Sequence, residues 1–416
     1  MDNHSKIKLV IIHPSALTQR WLLYYHLDEL SKKIDVEWWN IAAIAAPHYD
    51  VQNVERPYVK TFISKNDFLR ALRKLPNDTL IDFDRVMFCR NNYLLLNQMA
   101  QIRPNVIWFN FFAGDAITKA REGVFDIVEP HLDSNDQQSC HPIKKNFIKR
   151  CVTYTKKFLY RSHLLAYWIE TLRDGKDAQL NHKKWFMMCW NLFDTIAISS
   201  SADSKYPIHS MDYEQYMQEG DPQPIKMKYI VYVDQNFPLH PETAREYPNL
   251  DIQALSREFY ASMRKFFDTV EQETGYKVVI AMHPSSRYTN DTFGNRECIL
   301  GKTAVLIRDC EGVIVNNSTA LNFAVYWNKP IIFSHCKSYR QCFVEYELQK
   351  TLSRYFQIPS RDADLEGEIH FEKMPVEKRK EYMSYCTNER IEGKRNVDLY
   401  VEYLTQIHSE MFNKRK

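Results

Sequence analysis

The chain alternates short apolar runs with helix-length amphipathic segments, and it does so in two separate series. Lys8-Leu9-Val10-Ile11-Ile12 reads as a strand buried on both faces, since a continuous apolar run has no polar face to give to solvent. Trp21 to Leu30 reads as its helix, Asp35 to Ile41 and Val59 to Ile63 as the next strands, and Phe68 to Leu75 as a helix. Arg85-Val86-Met87-Phe88 and Val106-Ile107-Trp108-Phe109 read as further strands, and Asp194 to Ile198 returns to strand. Strands spaced by helix-length segments form βαβ units and a mostly parallel sheet.

The second series begins at Tyr229-Ile230-Val231-Tyr232-Val233. Ile252, Leu255, Phe259, Phe266 and Val270 mark one face of a long helix that Gly275 stops. Lys277 to Met282, Gly312 to Val315 and Pro330 to Phe333 read as strands, with helices at Thr303 to Cys310 and Thr319 to Trp327. A chain of 416 residues is too long for one typical core, so two α/β domains are expected. The reading places an N-terminal Rossmann-like domain at 1–205 with a helical insertion at about 140–192, and a C-terminal Rossmann-like domain at 228–374. A charged helical tail follows at 375–416, and Pro207, Gly220, Pro222 and Pro224 mark the linker between the domains.

Composition removes several classes of function. A net charge of only +3 gives no bulk attraction for nucleic acid. Nine cysteines are scattered singly with no CxxC pair, which speaks for reduced thiols and a cytoplasmic setting and against a disulfide framework or structural zinc. The first residues lack the pattern of a secretory signal, and no run approaches the ~20 apolar residues of a membrane span. Ten glycines make neither a dinucleotide fingerprint nor a P-loop, so any phosphate must be held by another device.

Two short motifs supply such a device. His283-Pro284-Ser285-Ser286-Arg287 directly follows a strand, where open parallel sheets bind ligands. The histidine can donate to a phosphate, and Pro284 stiffens its loop; the same dipeptide at His13, His141 and His240 makes it weak evidence by itself. Asn316-Asn317-Ser318-Thr319-Ala320 joins a strand to a helix, with Ser318 near the helix N-cap and two hydroxyls beside free backbone N–H groups. An ordinary capped helix explains the same residues.

The order strand, HPSS, short helix, strand, NNSTA, helix, NKP, strand resembles the C-terminal domain of GT-B glycosyltransferases that carry a His-Pro motif and a paired-hydroxyl motif. Bacterial polysialyltransferases, related CMP-sugar-using capsule enzymes and CDP-glycerol glycerophosphotransferases are of this kind. The matched stretch is about residues 277–333, and its second hydroxyl is Thr319 where the pattern has Ser. The resemblance implies two Rossmann-like domains about a cleft. It also implies that His283 contacts the donor phosphate and assists the leaving group, while Ser318 and Thr319 bind the same phosphate, with Pro284, Ser285, Ser286 and Asn317 around them. The acceptor base would come from the N-terminal domain. Asp115, in Gly114-Asp115 after a strand, is the first choice and His13 the second. Asp234 and Gln235 follow the first strand of the second domain and face the same cleft by position, as a donor contact or a solvated turn.

Asp82-Phe83-Asp84 invites a metal-binding DxD reading, set aside because the motif precedes the strand read at 85–88, where a ligating loop would follow one. No metal or cofactor is therefore expected, the donor being a substrate. The basic helix face at Lys145, Lys149 and Lys156 suits a solvated surface, an acidic glycan or an inner-membrane contact. The function expected is inverting, metal-independent transfer of a sugar, CMP-linked by preference, to a surface polysaccharide or lipopolysaccharide acceptor. The alternatives are transfer of glycerol phosphate from CDP-glycerol and a non-catalytic sugar-nucleotide-binding subunit of a capsule assembly complex.

Overall fold

The computed structural model describes residues 7–46, 53–84, 87–112, 182–201, 203–240, 243–244, 247 and 249–412. Its strands fall into two parallel sheets, one of seven and one of six. The first holds β1 (Lys8–His13), β2 (Asp35–Asn40), β3 (Val59–Thr61), β4 (Leu80–Phe83), β5 (Asn105–Asn110), β6 (Asp194–Ser199) and β7 (Tyr206–Pro207) in the order β3-β2-β1-β4-β5-β6-β7. Strand β1 shows why both faces must be covered. Leu9 and Ile11 enter one apolar layer with Trp38 and Leu30, while Val10 and Ile12 enter the opposite layer with Trp39 and Phe68. A period-2 strand with apolar residues at every position demands packing on each side.

The second sheet holds β8 (Tyr229–Val233), β9 (Lys277–Met282), β10 (Cys298–Leu300), β11 (Gly312–Val315), β12 (Ile331–His335) and β13 (Ser360–Asp362), ordered β10-β9-β8-β11-β12-β13. The helix Ile252–Thr274 covers one face with Leu255, Phe259, Met263, Phe266 and Val270. Asp251 caps it, accepting from the Gln253 and Ala254 N–H groups at 3.0 Å each, and Gly275 ends it at φ 72°. Gly312 opens β11 because a Cβ there would sit 2.7 Å from the Phe371 ring.

These are the two Rossmann-like domains of the GT-B plan. In both sheets the strand order reverses direction beside the first strand, between β1 and β4 in one and between β8 and β11 in the other. Ligands of open α/β sheets bind at such switch points, beyond the carboxyl ends of the strands. Between the sheets the helix Met211–Gln218 packs against the helix Leu321–Tyr326, with Asn322 Nδ2 donating to Asp212 Oδ2 at 2.7 Å. The helix Val376–Cys386 stays with the second core through Tyr382 and Cys386. The last helix, Asn396–Phe412, crosses back and buries Val397, Tyr400, Leu404 and Ile407 in the first.

The structure differs from the sequence reading at the fourth strand, which is Leu80–Phe83 and not 85–88. The expected helix over 21–30 is two helices, Gln19–Tyr24 and Leu27–Lys33, broken at His26 with φ 47°. Most of the expected insertion, the basic face at Lys145, Lys149 and Lys156, and Asp115 lie outside the described residues; the helix His182–Trp190 is its described end. No helix among the described residues is long and apolar enough to cross a membrane.

Candidate functional site

At the carboxyl edge of the second sheet, the loop after β9 is built around Asp234. Asp234 directly follows β8 and is 2% exposed. Its Oδ2 accepts from the His283 N–H at 3.1 Å, from Ser286 Oγ at 2.8 Å and from the Tyr288 hydroxyl, and its Oδ1 accepts from the Asn236 N–H at 2.9 Å. Burial raises its carboxyl above the usual range, and the hydrogen bonds work against that rise. Asp234 is thus consumed by the loop instead of facing a donor, and Ser286, 3% exposed, is consumed with it. A carboxylate inside a sheet edge is tolerable only with such a donor set.

The frame fixes His283. The Ser285 N–H donates to His283 Nδ1 at 3.2 Å, and Ser285 Oγ lies 2.7 Å from the same nitrogen. An Nδ1 that accepts a backbone N–H leaves the ring proton on Nε2. Burial pushes the imidazole down to about 4, with smaller contributions in the same direction from His240 and Arg20. His283 is therefore a neutral donor at neutral pH, its single N–H on Nε2. Pro284 is exposed beside it, and Arg287 folds back onto the Pro284 and Ser286 carbonyls.

The paired-hydroxyl loop lies two strands further on, after β11. Strands β9 and β11 flank β8, so the His283 and Ser318 loops start about 10 Å apart, two strand spacings. The β8 loop bridges them. Asp234 holds His283, while the Gln235 amide pairs with Asn317 and receives the Asn317 N–H at 3.4 Å. Asn316 and Asn317 are structural braces: Asn316 Oδ1 accepts from Tyr232 at 2.8 Å, and Asn317 Nδ2 donates to the Glu345 carbonyl at 3.3 Å. Ser318 is half-buried and Thr319 exposed. The helix N-cap is Ala320, not Ser318, because a turn closes first, with Ser318 Oγ accepting from the Ala320 N–H at 3.3 Å. The helix is six residues long, so the hydroxyls, more than a helix end, are what this loop presents.

The first sheet carries a matching edge. His13 ends β1, and the Ser15 N–H donates to its Nδ1 at 3.2 Å, with Ser15 Oγ at 2.8 Å: the same His-Pro-Ser turn as at 283–285. The ring is 2% exposed and stacks on Trp38 at 4.7 Å with Trp21 at 4.4 Å. Its Nε2 lies 2.7 Å from Asp84 Oδ2. With its ring buried and Nε2 against Asp84, His13 cannot itself reach an acceptor, and the half-buried Asp84 is the outer member of the pair.

No protein-family model matches the chain, and no curated protein matches it. Among solved structures it is similar to CalG4, the calicheamicin glycosyltransferase, at 12% identity over 96% of this chain and 99% of that one, with a TM-score of 0.42. It is similar to a UDP-glucosyltransferase from Polygonum tinctorium capable of glucosylating indoxyl, at 10% identity over 97% and 99%, TM-score 0.43. It is also similar to a UDP-N-acetylglucosamine 2-epimerase, at 12% identity over 99% and 98%, TM-score 0.35. At these TM-scores the likeness bears no weight, and the fold rests on strand order and register.

Asp84 was passed over in the sequence because its strand was placed too late. Strand β4 ends at Phe83, so Asp84 follows the strand and Asp82 lies inside it. Asp82 is 1% exposed and accepts from Tyr25 Oη at 2.7 Å and from the Phe109 N–H at 3.3 Å. Asp82 is satisfied inside the domain, and Asp84 sits at the switch point. No local signal marks the pair: His13 ends β1 and Asp84 follows β4, two strands that meet only on folding, with Ile12 opposite Phe83.

Proposed function

We propose that the chain is a glycosyltransferase that moves a sugar from a nucleotide donor to a glycan acceptor with inversion, a CMP-linked acidic sugar being the favoured donor. What carries the reading is His283: a neutral imidazole locked with its proton on Nε2, held at the carboxyl edge of the sheet, one strand from the switch point, by a buried carboxylate. The acceptor oxygen gives its proton to Asp84 and attacks the anomeric carbon as the bond to the donor phosphate breaks. The leaving nucleotide gathers charge on that phosphate. His283 Nε2–H donates to it, with Ser318 and Thr319 as further donors. His13 acts through Asp84, as a positioning residue.

The test is product analysis with isotopically labelled donors and purified full-length protein. Label from the sugar of a CMP-linked donor should appear in the glycan with inverted anomeric configuration. Transfer of glycerol phosphate from CDP-glycerol would replace this reading with a phosphotransferase, and nucleotide binding without turnover would replace it with a binding subunit.

A further inference from the structure

The loop after β8 is held at several points, and its far end reaches the His283 turn. Asn236 turns the chain at φ 58°, in the left-handed region that asparagine tolerates. Its N–H donates to Asp234 Oδ1 at 2.9 Å, and its Nδ2 donates to Ser285 Oγ at 3.4 Å. Phe237 is buried, its ring 4.9 Å from that of Phe259 and 4.8 Å from that of Tyr339, and it anchors the loop from beneath. Further on, the His240 carbonyl accepts from the Thr243 N–H at 2.9 Å, and the Thr243 carbonyl accepts from the Tyr247 N–H at 2.9 Å. Tyr247 Oη donates to Glu345 Oε2 at 2.6 Å and accepts from the Val344 N–H at 3.0 Å. The chain on both sides of His240 is thereby tied to the domain.

These ties set the His240 ring 5.3 Å from the His283 ring and nearly perpendicular to it, at 83°. His240 is half-buried, so part of it reaches solvent. Packing alone does not call for an imidazole there, because a phenyl ring makes the same edge-to-face contact. What an imidazole adds is an N–H at the ring's edge. His283 already offers its own Nε2–H outward from the turn. Two imidazoles at this spacing can both donate to one phosphoryl group, whose oxygens accept from more than one side. Strand β8 lies between β9 and β11, so His283, His240 and Ser318 stand on the loops of three neighbouring strands.

We propose that His240 is a binding residue for the donor phosphate, its imidazole N–H meeting the same phosphoryl group as His283 Nε2–H. The inference rests on the functional reading above and adds the middle strand's loop to the donor clamp. The contact is to phosphate, so it leaves the choice of base to other residues.

Isothermal titration of the full-length protein with CMP, UMP and cytidine, against His240→Phe and His240→Gln, tests this. His240→Phe keeps the ring contact and removes the donor. It should lose roughly tenfold to hundredfold in affinity for CMP and UMP alike, the range for a lost bond to a charged group, while cytidine binds both proteins equally. His240→Gln restores an N–H donor without the ring and should recover part of that loss. His240→Ala should lose as much as His240→Phe, and it takes that variant's place where the phenyl ring disturbs the loop. Wild type, His240→Phe and His240→Ala binding CMP equally would overturn the inference and leave the functional reading standing. Affinity kept by His240→Phe and lost by His240→Gln would overturn it as well, by making His240 a packing partner of His283. An equal loss for cytidine would overturn it by placing His240 against the nucleoside. A wild-type protein that binds neither CMP nor UMP would bring down the functional reading, and this inference with it.

Discussion

At the scale of single residues, the chemistry rests on which nitrogen of a histidine carries the proton. In both domains a Ser N–H two residues on takes Nδ1, so His283 offers Nε2–H outward and His13 turns Nε2 to Asp84. His283→Ala should lower turnover by roughly tenfold to hundredfold, more than it lowers nucleotide affinity, because the charge it meets grows in the transition state. Ser318→Ala with Thr319→Val should weaken nucleotide affinity as well. Stopped assays and titration on both variants separate these effects, and normal values in both would remove the donor clamp. Asp84→Asn should cut turnover by about 10²-fold or more with nucleotide binding intact, the range for a lost general base. His283 also has a spectroscopic signature. Its ring, titrated by NMR, should protonate at about 4 in the free protein and at higher pH with nucleotide bound, since a nearby anion favours the protonated ring. A midpoint at the ordinary histidine value, unmoved by nucleotide, would contradict the site.

At the scale of elements, the parallel strands are tied across their solvent-side ends as well as through their cores. Glu37 on β2 receives Lys8 of β1 and Lys60 of β3, each at 2.7 Å, and Trp39 Nε1–H at 2.7 Å. Burial would raise this carboxyl, yet the hydrogen bonds from Lys60, Lys8 and Trp39 overcome it and hold it down to about 2. A group whose folded value is depressed stabilises the fold above its unfolded value, here 4.5, and loses that contribution as pH falls toward about 2. The contribution is at most about 3 kcal/mol, with water access reducing it. Glu37→Gln should therefore flatten the fall in melting temperature between those pH values, and an unchanged acid profile would show that the ladder carries no net stability. The helix Ile252–Thr274 offers a simpler check: Asp251→Ala removes both cap bonds and should cost about 1 kcal/mol in chemical denaturation.

At the scale of the whole molecule, the first domain is completed by the far end of the chain. Tyr400 is fully buried among Phe109, Phe111 and His26 and donates to the Tyr24 carbonyl at 3.0 Å. Near it, Glu214 of the linker takes His26 of the first domain at 2.9 Å and the Asn396 N–H at 2.7 Å, so three distant segments meet on one buried carboxylate. Tyr400→Ala should destabilise the protein by about 3–5 kcal/mol, as large aromatic truncations in cores do. Calorimetry should place that loss in the unfolding of the first domain. A variant lacking residues 395–416 that melts like the full chain would show the crossing helix to be dispensable. If the transfer needs no divalent ion, as the sequence leads one to expect, turnover should survive EDTA; activity lost in EDTA and restored by magnesium would make Asp84 a candidate ligand.

The alternation of apolar runs determined the two parallel sheets, because a strand apolar at every position has to be covered on both faces wherever the chain goes. Local spacing also placed the His283 and Ser318 loops at strand ends, since each motif follows its strand directly. Pairwise partnership was beyond it. Nothing local says that Asp234 turns inward to four donors, that a turn at Ser318 delays the helix to Leu321, or that Asp82 is satisfied by Tyr25 from 57 residues away. Strand β4 was misplaced because Asp82 breaks the apolar run that marks a buried strand, and only the Tyr25 hydroxyl makes that aspartate tolerable there. Asp84 becomes a candidate only when folding brings β1 against β4. Those are long-range contacts, and a charge has no meaning for function until its neighbours are known.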